Sequence, residues 1–324
     1  MPASPIAQLP MPHFDVRLVT PDLAPWLAGN TGIAGFTSFD SEMPGPHVLL
    51  LALTHGNEIA GAIVLERLLR TDVRPPRGRL TLGFVNVAAF GRFDPRQPTL
   101  SRFIDEDINR IWSRELLDGP RRSVELDRAR AIRPLLDSVD VLLDIHSMLW
   151  PSDPLILSGG CAKGRRLAHA IGAPGLVVAD HGHASGKRII DYDRFLDPDS
   201  TAAAVLVEAG QHWQPETVDT ALASVAGLLR HLDIGVANLA NGERAQPGPR
   251  RFAEVTEVVT ATTAQFAFVQ PFRGGEVIPR RNTLLALDGT AEIRTPHDDC
   301  LLVMPSLRPS RGHTAVRLAR LVGT

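Results

Sequence analysis

Residues 47 to 61, HVLLLALTHGNEIAG, set a pattern that recurs along the chain. The continuous apolar run 48 to 53 fits a strand buried on both faces. It breaks into Thr54-His55-Gly56-Asn57-Glu58, after which Ile59, Ala62, Ile63, Leu65, Leu68 and Leu69 recur at helical spacing and predict an amphipathic helix over 58 to 70. A second strand is predicted over 80 to 87. A helix over VELDRARAIRPLLDSV follows, despite Pro134, and then a buried strand in DVLLDIHSM. Further strands are expected at 154 to 157, at 176 to 179 and in AAAVLVEAG, with helices near 163 to 172 and 215 to 232. Strands and helices alternating at this spacing predict an α/β fold: a mixed, largely parallel sheet with helices on both faces.

The pattern changes near residue 235. GVANLANGERAQPGPR is rich in Gly, Asn and Pro and reads as a linker, and short strand-like segments such as AEVTEVVTATTAQFAFV follow it to the end. The expected division is an α/β domain over 1 to 240 and a small C-terminal β domain over 241 to 324, in keeping with a length of 324 residues.

Composition narrows the classes of function. A formal net charge of −2 provides no basic field for nucleic acid and no polybasic segment for an anionic membrane. No apolar run reaches membrane-spanning length, and MPASPIAQLPMPHF lacks the charged start and apolar core of a signal peptide, so a cytoplasmic location is expected. The two cysteines, Cys161 and Cys300, lie far apart and read as reduced structural residues. The sequence leaves self-association into a homo-oligomer open.

Three predicted strands end in polar residues: His55 with Glu58, His146, and Glu208. Ligands of open α/β sheets gather beyond the carboxyl ends of the strands, and two histidines with one carboxylate form a recognised catalytic zinc set that leaves a position open for water. Each signal alone is weak. A glutamate at a helix start is favoured by the helix dipole, and a lone strand histidine is often a hydrogen-bonded core residue. The coincidence at three strand ends carries the argument. HExxH, HxxEH, GxSxG and P-loop patterns are all absent.

Four stretches, THGNE (54 to 58), SRFIDEDINRIW (101 to 112), DIHS (144 to 147) and VEAG (207 to 210), together resemble the succinylglutamate desuccinylase and aspartoacylase family, which is related to the zinc carboxypeptidases. The resemblance implies a zinc carboxypeptidase-like fold and one Zn2+ per chain bound by His55, Glu58 and His146. It also implies that Glu208 is the general base and acid, and that Arg102, Asn109 and Arg110 hold the substrate around its carboxylate and scissile carbonyl. Bound zinc lowers the pKa of a water to about 7, and a nearby carboxylate must then move that water's proton. Asp144 lies two residues before His146 on the same strand face and is a candidate to orient it. An arginine fork binds a carboxylate through two parallel hydrogen bonds; the plainer reading pairs Arg102 and Arg110 with Asp105, Glu106 and Asp107 at the surface.

DHGHASGKRIIDYDR, 180 to 194, reads as a Gly-rich loop over the site, with Lys187, Arg188 or Arg194 as further substrate contacts and His181 and His183 as less favoured extra ligands. Tyr192 is the only tyrosine, so the C-terminal part lacks the one that aspartoacylase-like enzymes can place at the site. The leading expectation is a zinc-dependent amidohydrolase (deacylase) acting on a small-molecule N-acyl amino acid. A metallocarboxypeptidase for short peptides would use the same metal chemistry, and a non-catalytic binding protein would need no base at position 208.

Overall fold

The computed structural model describes residues 12–71, 73–182, 185–234 and 250–323. In chain order the strands and helices are β1 (Phe36–Asp40), β2 (His47–Ala52), α1 (Ile59–Arg70), β3 (Arg79–Phe84), α2 (Val87–Phe90), α3 (Arg114–Asp118), α4 (Val124–Leu136), β4 (Val141–Met148), β5 (Leu155–Leu157), α5 (Ala162–Ile171), β6 (Leu176–Ala179), α6 (Asp193–Leu196), β7 (Ala203–Gln211) and α7 (Pro215–His231). Seven strands complete the chain: β8 (Arg251–Thr260), β9 (Phe266–Phe268), β10 (Val277–Ile278), β11 (Leu284–Asp288), β12 (Ala291–Arg294), β13 (Cys300–Val303) and β14 (Thr314–Val322).

The apolar run of β2 divides between two cores, as the period of a strand requires. Val48, Leu50 and Ala52 face a core shared with α1, α5 and α7, whereas Leu49 and Leu51 face a second core that includes α4. A strand covered by helices on both faces has no polar position to offer, and this explains the unbroken hydrophobic run. At the centre of the sheet β3, β2, β4 and β7 are parallel neighbours, so their carboxyl ends emerge on one side. β1 and β5 each add an antiparallel pairing, making the sheet mixed and largely parallel where the helices flank it.

Beyond residue 250 the chain is all β, as the turn-rich sequence predicts. β8 pairs parallel with β6 and antiparallel with β14, so the central sheet runs on through β8, β14, β13 and β10 to eleven strands. β12, β11 and β9 form a separate three-stranded antiparallel sheet over a third core around Phe266, Phe272 and Leu285. The predicted linker, with the division placed at 240/241, falls on 235–249, outside the described residues. Among the described residues no helix is long and apolar enough to cross a membrane. Cys161 and Cys300 are both free.

Candidate metal centre and active-site cavity

The site forms where β2, β4 and β7 end. After β2 the backbone turns through Leu53, which has a φ of 56° and sits in the left-handed region that favours glycine. Gly56 then passes so close to α2 that a Cβ there would lie 2.4 Å from the amide nitrogen of Phe90. This tight passage delivers His55 and Glu58 inward. Glu58 occupies the N-cap of α1, but its side chain makes no capping bond and turns toward the histidines instead. His146 and Glu208 are direct partners in the β4–β7 ladder, and the register shifts just beyond them. An extra residue at that point re-aims a strand end, as bulges beside functional sites commonly do.

His55, Glu58 and His146 are all buried, and one donor atom from each lies within 4.8 Å of the others. His55 Nδ1 is 2.7 Å from Glu58 Oε1, and His146 Nδ1 is 3.0 Å from Glu58 Oε2. The far side of each ring meets a carboxylate: His55 Nε2 is 3.0 Å from Asp107 Oδ1, and His146 Nε2 is 2.7 Å from Asp144 Oδ2. Asp144 also accepts from the Thr54 hydroxyl at 2.8 Å. A histidine whose outer nitrogen is held by a carboxylate presents its inner nitrogen to a metal, so the donor set fits a divalent ion such as zinc. Burial favours a neutral ring at His146, but the charges of Asp144 and Glu58 outweigh it and raise its pKa well above the usual histidine value. At Glu58 burial is likewise outweighed, by His55 and His146, and its pKa falls well below the carboxylate range.

Glu208 is buried beside this cluster, and its Oε2 has no hydrogen-bond partner among the described residues. Burial pushes its pKa up to about 8. Both carboxyls line a cavity of about 670 Å³, together with Arg102, Asn109, Arg110 and His146. Arg102 donates to Glu58 Oε1 at 3.2 Å and lies 2.9 Å from His55 Nε2. Asn109 Oδ1 accepts from the amide of Ile189 at 2.9 Å, and Arg110 donates to the Asn109 carbonyl at 2.7 Å. Arg110 Nη2 is 3.9 Å from Asp107. The structure therefore brings His55, Glu58, His146, Glu208, Arg102, Asn109 and Arg110 to one cavity.

The 180 to 194 loop is arranged differently from its sequence reading. Arg188 is buried against Asp180 and Asp191, Lys187 reaches Asp193 at 3.6 Å, and Arg194 lies 3.7 Å from Asp140. Of these three cations only Arg188 lines the cavity. His181 packs beside Gly160, while His183 lies outside the described residues. Tyr192 is buried, and its hydroxyl donates to the exposed Asp137 at 2.6 Å. Sequence reasoning missed the orienting position of Asp107; its plainer alternative, which paired Asp107 with Arg102 and Arg110, is met in part, since Arg102 Nη2 donates to Asp107 Oδ2 at 3.4 Å. It also missed the C-terminal loop 304–314 and Arg317, all at the cavity wall. A signal for Arg317 existed, namely a lone charge inside the apolar run AVRLA.

Residues 44–232, more than half of the chain, match the succinylglutamate desuccinylase/aspartoacylase catalytic domain, and the chain belongs to that family. It is a family of deacylases, enzymes that hydrolyse the amide bond of acylated amino acids. None of the curated proteins matches the chain. Among solved structures, a succinylglutamate desuccinylase from Vibrio cholerae is 18% identical, with a TM-score of 0.65 over 90% of this chain and 86% of that one. A succinylglutamate desuccinylase/aspartoacylase from Rhodobacter sphaeroides is 19% identical, with a TM-score of 0.64 over 89% of each chain. The ectoine utilization protein of Ruegeria pomeroyi, solved with product bound, is 19% identical, with a TM-score of 0.61 over 88% of each chain. At these identities the likeness is one of fold.

Proposed function

We propose that the protein is a zinc-dependent amidohydrolase that removes the acyl group from an N-acylated amino acid or a related small carboxylate-bearing amide. The observation that carries this reading is the convergence of His55, Glu58 and His146 beside Glu208, whose free Oε2 is buried in the same cavity. A zinc ion held by His55, Glu58 and His146 would polarise the amide carbonyl and acidify an attacking water. Asp107 and Asp144 lie at the outer nitrogens of the two imidazoles, where a carboxylate favours a proton on Nε2 and leaves Nδ1 to the metal. Glu208 takes the proton of the attacking water on its unpaired oxygen and delivers it to the leaving amine nitrogen. Burial strengthens its hold on the proton between those two transfers, and a cation bound by His55, Glu58 and His146 would favour the ionised form that accepts it. Arg110 binds the substrate carboxylate through its fork, Asn109 lies beside it, and Arg102 faces the scissile carbonyl.

A metallocarboxypeptidase would use the same groups on a peptide. Residues of the 304–314 loop form part of the cavity wall, which favours a compact amide over a chain. The deciding experiment presents N-acetyl, N-succinyl and N-formyl amino acids and dipeptides to zinc-loaded protein. Release of free amino acid from an acylated substrate is expected. Dipeptide cleavage without deacylation would establish the peptidase, and zinc binding without any hydrolysis would establish a binding protein.

A further inference from the structure

Arg317 lies outside the segment that matches the family's catalytic domain, on β14, yet it lines the same cavity. Residues 315 to 319 of β14 are all buried, and Arg317 is the only charged one among them. A guanidinium taken out of water needs a partner. Its Nε donates to Asp180 Oδ2 at 3.0 Å, its one hydrogen-bond partner among the described residues, and the Glu208 carboxyl attracts it as well. The same oxygen accepts from Arg188 Nη1, also at 3.0 Å. Arg188 is further engaged by Asp191 through Nε at 2.7 Å and Nη2 at 3.0 Å. Arg188 thus spends four of its five N–H donors within the protein, whereas Arg317 spends one among the described residues.

The loop that carries Arg188 also grips the turn bearing Asn109 and Arg110. Ile189 donates to Asn109, Trp112 donates to the Lys187 carbonyl at 3.2 Å, and Gly186 lies against the Arg110 carbonyl. Asp180, the loop and this turn therefore fix Arg317 and Arg110 on one stretch of cavity wall. Burial lowers the Arg110 pKa to about 10; Asp107 opposes the shift, and the like charges of Arg102, Arg317 and Arg188 add to it. Two guanidiniums on one wall are stabilised by an anion between them, and a carboxylate has two oxygens to share.

We propose that Arg317 is a substrate-binding residue that shares the substrate's carboxylate with Arg110, and that Asp180 is the positioning residue that aims it. The inference rests on the amidohydrolase reading for the identity of the ligand, and it assigns part of the specificity to the C-terminal strands. It implies that a substrate with a single carboxylate and a neutral side chain engages both arginines.

The test measures equilibrium binding and steady-state hydrolysis of N-acetylalanine, its carboxamide and N-acetylaspartate on zinc-loaded wild type, Arg317→Lys, Arg317→Met and Asp180→Asn. Wild type should prefer N-acetylalanine to the carboxamide. Both Arg317 variants should weaken N-acetylalanine binding roughly tenfold to a hundredfold, the range expected for hydrogen bonds to a charged group. The carboxamide's binding should hardly respond, and in Arg317→Lys, which keeps the charge that Glu208 feels, the loss should fall on KM with kcat retained. Asp180→Asn should raise KM in the same selective way, which a merely structural role would not do. Unchanged N-acetylalanine affinity in a folded Arg317 variant overturns the proposal, as does a loss confined to N-acetylaspartate, which would place Arg317 on a second anionic group. Wild type that binds N-acetylalanine but hydrolyses nothing defeats the amidohydrolase reading while the binding data still decide on Arg317. Absence of any carboxylate preference in wild type overturns the proposal even where hydrolysis is seen. If Arg317→Met does not fold, Arg317→Lys and the wild-type preference carry the test.

Discussion

Replacing Asp144 by asparagine tests whether the carboxylate behind His146 sets the metal site. Asp144 is fully buried and takes two donors on two different oxygens, the Thr54 hydroxyl at 2.8 Å and His146 Nε2 at 2.7 Å. An amide of the same shape can serve both only if the Thr54 hydroxyl turns to accept, which leaves His146 bonded to a neutral oxygen. A charge-assisted bond is about twice as strong as a neutral one, so roughly 1–2 kcal/mol of hold on the ring is lost. That corresponds to metal binding weaker by about fivefold to thirtyfold, near the lower end of what removing an outer partner costs elsewhere. Chelator competition, with circular dichroism to confirm folding, reads it directly. Thr54→Val leaves the carboxylate in place and should cost less. Equal zinc affinity in Asp144→Asn and wild type would refute the reasoning.

Arg188→Leu leaves Asp180 and Asp191 buried with less compensation and should destabilise the fold by about 3–5 kcal/mol in denaturant unfolding; a loss below about 1 kcal/mol would mean the pairs are solvated. A Cβ at Gly186, where φ is +140°, would meet the Arg110 carbonyl at 1.9 Å, so Gly186→Ala should raise KM by up to roughly a hundredfold with zinc content unchanged. Normal KM would show that Arg110 does not depend on this contact. His47 is held between Ser138 and Thr81, and burial, with the nearby Arg79 charge, pushes its pKa down to about 4. The unfolded chain therefore binds a proton there first as pH falls below about 6.5, and stability drops between that pH and 4. His47→Gln should flatten the fall in melting temperature over this window, and an unaltered slope would assign the pH dependence to other groups.

How much of this was legible in the sequence follows from which signals are local. The buried runs of β2, β4 and β7 stand out because helices cover both faces, and a polar residue at the end of such a run has few reasons to be there. His55, Glu58, His146 and Glu208 were found on that ground and through the four motifs. Asp107 was not, because its partner His55 lies 52 positions away and nothing nearby in the sequence separates an orienting carboxylate from a surface one. The pairing of β8 with β6 was equally invisible, since hydrophobic alternation predicts a strand without naming its neighbour. The β-rich C-terminal part was read correctly as strands, but its continuation of the central sheet and its delivery of Arg317 depend on that pairing. Lys187, Arg188 and Arg194 were named as candidate substrate contacts for their charge, and of the three only Arg188 lines the cavity. In the fold Arg188 is spent on buried carboxylates and Arg194 lies near Asp140.

The central claim is that a metal-binding cluster and a separate proton carrier cooperate at one cavity, and Glu208→Gln divides the two. Glutamine keeps the size of the side chain and its hydrogen bonding but cannot accept the proton of an attacking water. Measured on one preparation, zinc content should remain at about one per chain. Turnover of the best acylated amino acid should fall by roughly a hundredfold to ten-thousandfold. Loss of zinc from the variant would make Glu208 a ligand, and full turnover with zinc retained would remove it from the chemistry and contradict the mechanism.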